Sequence, residues 1–143
     1  MLELEIYIRA DPLPIQRWLR SLCSSDPTLV TRSEGRMVTR SGDCVLRADD
    51  VATQDVQAQT QTQTGYPAHV LIVDDVGDGF GCVSISGADL PWPDDLHCAR
   101  AAARMLGCEV RCNSAAWRPG DDEDAGWCAI TADGEREIRW RSA

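Results

Sequence analysis

Cysteines 23, 44, 82, 98, 108, 112 and 128 and histidines 69 and 97 are the side chains of this 143-residue chain best suited to hold a metal or attack a substrate. The closest approach to a zinc constellation is His97-Cys98 with Cys108 and Cys112. On a strand, positions 108 and 112 lie roughly 13 Å apart at about 3.3 Å per residue, too far to share one ion at thiolate distances. His97 and Cys98 are adjacent on a helical pattern and point about 100° apart. No C-x-x-C pair is present, and Cys108, Val110 and Cys112 share one strand face, as small buried hydrophobes do. A Cys–His nucleophile finds no better support, because no thiol stands in a glycine-rich elbow or directly before a helix N-terminus. The chain is therefore expected to be no enzyme and to carry no metal and no cofactor.

Carboxylates are the second group able to do chemistry. Asp74-Asp75-Val76-Gly77-Asp78-Gly79 sets acids among glycines, yet lacks the alternating ligands and terminal glutamate of an EF-hand loop. Gly77-Asp78-Gly79-Phe80-Gly81 leads into a strand, so no helix dipole would face a phosphate there. What remains is a surface pattern. Trp117 and Trp127 bracket a loop holding Asp121, Asp122, Glu123 and Asp124, and Trp92 stands just before Asp94 and Asp95. Aromatic anchors supply desolvated contact area and charges supply steering, so Trp92, Asp94, Asp95, Trp117 and Asp121–Asp124 are the candidate partner-binding residues. The competing reading makes the tryptophans a cover for the core edge and the acids a solvated loop tip.

Net charge sharpens that pattern. The total of −9 is concentrated in residues 48–99, which hold nine acids and no arginine, whereas 1–47 and 100–143 are nearly balanced. Such a field repels phosphate backbones and anionic lipid and attracts basic partners. Nucleic acid and membrane are thus excluded, and a protein with a basic cleft is the expected partner. All fourteen basic residues are arginine; with the abundant Ala, Gly and Asp, this points to GC-rich coding and a bacterial source.

The elements that must position these residues are legible from periodicity. Leu2, Leu4, Ile6 and Ile8 alternate with Glu3, Glu5 and Tyr7, a strand with one wet face. Asp11-Pro12 opens an amphipathic helix over 12–23. Strands follow over Thr28–Ser33, Arg36–Arg40 and Cys44–Ala48, with turns at Glu34-Gly35 and Ser41-Gly42-Asp43. Residues 49–64 include an alternating Thr/Gln tract, readable either as a flexible linker or as a two-sided polar strand. His69–Asp74 is an apolar central strand, Val76–Gly79 a turn, and Phe80–Ser86 a return strand. A second helix starts at Asp94 or Asp95 and is stopped at Leu106 by Gly107. Cys108–Cys112 is a strand, and Trp127–Thr131 with Glu135–Arg141 is a hairpin around Asp133-Gly134. The two halves share a helix-then-meander order, without sequence identity.

This order predicts one α+β domain over residues 1–143, with a mainly antiparallel sheet and two amphipathic helices packed on it. The acidic N-terminus is unlike a signal peptide and no apolar run reaches membrane-spanning length, so a cytoplasmic protein with reduced thiols is expected. In size, acidity and organisation over its whole length the chain resembles the immunity proteins of bacterial toxin systems. The resemblance rests on no motif and transfers no residue. It implies a binding protein that occludes the active site of a cognate toxin; the alternatives are a small-molecule-binding or enzymatic domain, or a subunit of a larger assembly.

Overall fold

The computed structural model describes residues 1–24, 27–47, 65–113 and 126–140. Within them the elements run β1 (Leu2–Ile8), α1 (Pro12–Leu22), β2 (Val30–Glu34), β3 (Met37–Arg47), β4 (Gly65–Gly77), β5 (Phe80–Gly87), α2 (Asp95–Leu106), β6 (Val110–Asn113), β7 (Trp127–Thr131) and β8 (Gly134–Ile138). All eight strands form one antiparallel sheet in the order β2-β3-β4-β5-β1-β6-β7-β8. The expected α+β architecture with two helices on an antiparallel sheet is the one observed.

Both helices cover the same face. Leu4, Ile6 and Ile8 of β1 meet Ile15, Trp18 and Leu19 of α1 and Cys98, Ala99 and Ala102 of α2, with Val70, Ile72, Val83, Ile85 and Val110 completing the core. Since successive strand residues point to opposite faces, Glu3, Glu5 and Tyr7 project on the far side. A second, smaller cluster of Tyr7, Phe80, Cys82, Trp127 and Trp140 lies there. Trp140 stands edge-on to Tyr7 and Trp127, with ring centroids 5.2 and 4.9 Å away. Its indole N–H donates to Asp78 at 3.1 Å, and the Arg111 guanidinium lies over both Phe80 and Trp140.

Caps fix the helix ends. Asp94 is the N-cap of α2, its carboxylate accepting from the His97 backbone N–H at 2.9 Å, and Gly107 ends the helix with φ +66°. Helix α1 begins with Pro12 at its first position and stops one residue short of the predicted limit. Cys23 is already extended and bridges to Leu46 of β3.

Several boundaries differ from expectation for definable reasons. No turn interrupts residues 37–47. A Cβ on Gly42 would lie 2.2 Å from the Thr28 carbonyl oxygen, so this glycine admits a crossing backbone within one long strand. The C-terminal hairpin turns on Ala132-Asp133, with Gly134 already paired to Thr131. The chain's Asp-Gly turn with positive φ at both residues is Asp78-Gly79, at +55° and +81°, between β4 and β5. Just before it, β4 carries two extra residues relative to β5 between Val73 and Gly77, with Asp75 at φ +52°. The two halves are not a repeat: the β2-β3-β4 meander joins the sheet centre through its last strand, β6-β7-β8 through its first. The polar tract 49–64 lies outside the described residues.

Candidate functional site

Thiol chemistry is the first possibility that the geometry tests. Six of the seven cysteines are buried and Cys108 is half-buried. Burial, with the Glu5 charge adding to it, pushes the Cys82 thiol up to about 11. Burial and the neighbouring Cys128 push Cys112 up to about 12. Cys44 is raised by the adjacent Cys23 thiol and by burial, and Cys98 chiefly by burial. Each shift disfavours the thiolate, the form that attacks or binds metal. Among the described residues no three His, Cys, Asp or Glu side chains converge in a metal-holding geometry.

The face of the sheet opposite the helices is different. Strand register places Asp43, His69, Ser86 and Glu3 in one row across β3, β4, β5 and β1, with Ser41, Leu71, Ser84 and Glu5 in the next. Among the described residues no helix covers these rows, and Glu3, Glu5, Asp43 and His69 are exposed. A depression of about 430 Å³ is lined there by Glu3, Glu5, His69, Leu71, Ser84 and Ser86, and reaches Asp95. Asp43 Oδ1 lies 2.9 Å from His69 Nδ1, and Tyr7 donates its hydroxyl to Glu5 at 2.5 Å.

Asp95 reaches this face because β6 stays beside β1 only briefly. β6 pairs with β1 at Tyr7 and Ile8 alone, and toward Leu2 the two strands are no longer paired. In the space so opened the Asp95 carboxylate accepts from the Glu5 backbone N–H at 3.1 Å, standing in for a missing strand partner. Burial raises the Asp95 carboxyl above the ordinary carboxylate range. The Glu5 N–H opposes that shift, and the charges of Glu5 and Asp94 add to it. Asp94 moves the other way, lowered first by the His97 backbone N–H and then by its ring.

Of the residues singled out from sequence, Asp94 and Asp95 thus lie together at the start of α2. Trp92 stacks on Trp18 at 6.4 Å between ring centroids and packs against the helix-side core, half-buried. Trp117, Asp121, Asp122, Glu123 and Asp124 lie outside the described residues. Sequence reasoning passed over Glu3, Glu5 and Asp43, and weighed His69 only as a metal ligand or the partner of a nucleophilic thiol. The alternation in β1 already set Glu3 and Glu5 on a wet face; what it lacked was the strand order that brings Asp43 and His69 alongside.

Three of the fifteen described acids pair with arginine, and twelve do not. Asp74 is held by Arg40, Glu109 by Arg9 and Arg111, and Glu135 by Arg100 through two bonds of 2.6 and 3.0 Å. Glu3, Glu5, Asp43, Asp94 and Asp95 have no arginine at ion-pair distance among the described residues. The Asp43–His69–Ser86 row has the residue types of a nucleophilic relay. Ser86, however, sits within a strand whose neighbours on both sides occupy its backbone groups. Its own backbone N–H is therefore not available to a developing oxyanion.

Comparison with known protein families, with curated proteins and with solved structures gave no match. The functional reading therefore rests on this geometry.

Proposed function

We propose that this chain is an acidic binding protein that captures a basic protein partner, and that it acts as an immunity protein by occluding the active site of a cognate bacterial toxin. One observation carries the reading: of the twelve described carboxylates without an arginine partner, Glu3, Glu5, Asp43, Asp94 and Asp95 gather at one end of the sheet. Ion pairs of exposed carboxylates, such as Asp43–His69 and Asp94–His97, stabilise the native state little. The field of the gathered carboxylates speeds encounter with a cationic surface and orients it. A cleft built to bind phosphate or nucleic acid presents such a surface, and a carboxylate array competes for it.

The test is capture from the source bacterium at low salt, followed by expression of the captured protein alone and together with this chain. Growth arrest by the captured protein and rescue by co-expression support the proposal. A captured protein that is harmless when expressed, or whose binding is indifferent to salt, overturns it.

A further inference from the structure

Resting on that reading, we propose that the helix-free face of the sheet is the docking surface, and that it seats a segment of the partner protein bearing arginine or lysine side chains. The face is unpartnered among the described residues. Between β3 and β1 it exposes the carboxylates of Glu3, Glu5 and Asp43, while the exposed arginines Arg32 on β2 and Arg136 on β8 lie outside that stretch. Three strand spacings of about 4.8 Å separate Asp43 on β3 from Glu3 on β1, giving a floor roughly 14 Å wide between carboxylate walls. Glu3 and Glu5 stand about 7 Å apart along β1, two residues of strand rise. Between the walls the floor is low: Ser84 and Ser86 are small, and Leu71 offers a half-buried apolar contact.

A helix with its side chains measures about 10–12 Å across, so a basic helix or a single extended strand fits such a floor. The aromatic block of Tyr7, Phe80, Trp127 and Trp140 closes one end of the trough and fixes how far a guest can slide. Phosphate backbones meet the wrong sign.

A nonaarginine peptide is the probe, titrated at low salt into the isotope-labelled full chain and followed by amide chemical shifts. Two charge-matched variants accompany it: Glu3→Gln/Glu5→Gln/Asp43→Asn on the face, and Asp121→Asn/Asp122→Asn/Asp124→Asn in the loop. The expected result is shift changes centred on His69, Leu71, Ser84 and Ser86. Affinity falls by about tenfold or more in the face variant and by less than about threefold in the loop variant. Shift changes centred elsewhere, or equal losses in the two variants, overturn the docking surface while leaving a basic partner in place. Absence of any binding overturns both proposals. Thermal melts of the variants establish that each is folded.

Discussion

At the scale of single residues, two neighbouring aspartates at one helix start do opposite things. Asp94 is lowered by the helix N–H it caps, whereas Asp95 is raised by burial, although it also accepts a backbone N–H. For Asp95 the folded state holds its proton more tightly than the unfolded chain does. Its contribution to stability is therefore greatest below the ordinary carboxylate range and declines as pH rises through and above that range. Asp95→Asn keeps an oxygen to accept from Glu5 and removes the charge. The variant is expected to lose that part of the decline, which partial solvation of the site keeps small. Urea denaturation of both proteins across acidic to neutral pH measures it; identical slopes would refute the assignment.

At the scale of elements, the pattern of apolar residues was enough to locate both helices and the start of nearly every strand. Glycine was harder to read, because a glycine can mark a turn or a place where another backbone passes close by. Gly42, flanked by Ser41 and Asp43, has the neighbours of a turn and the role of a crossing point. Its partner in that contact, Thr28, is distant enough in sequence that no local window reveals it. Gly42→Ala is accordingly expected to destabilise by about 1–3 kcal/mol, as overpacking does, where a turn glycine of negative φ would tolerate alanine. A shift of the chemical-denaturation midpoint reads this directly. Asp78-Gly79 and Asp133-Gly134 share a dipeptide, yet only the first takes positive φ at both residues. The difference lies in the register of the flanking strands.

At the scale of the whole molecule, the least legible feature was the insertion of β1 between β5 and β6. Sequence order says which strands are consecutive; it does not say that the N-terminal strand returns to the middle of the sheet. That placement sets Glu3 and Glu5 in line with Asp43 and His69, and it also sets Tyr7 beneath Trp140. The thiols follow the same division into inside and outside. In the native protein at mildly alkaline pH an aromatic disulfide reagent is expected to modify Cys108 at most, slowly, and all seven thiols only after denaturation. Rapid modification of two or more native thiols would contradict the packing.

The two aromatic groups lie on opposite faces of the sheet: Trp18 and Trp92 with the helices, Trp127 and Trp140 with Tyr7 on the far side. Among the described residues the protein thereby carries two optical reporters. Rings held edge to face at 4.9 Å couple their electronic transitions and give a circular-dichroism signature that depends on their mutual angle. Trp140→Phe removes that coupling and leaves the helix-side pair intact. Unfolding, or the arrival of a guest on either face, can then be followed separately on each side of a sheet only one strand thick.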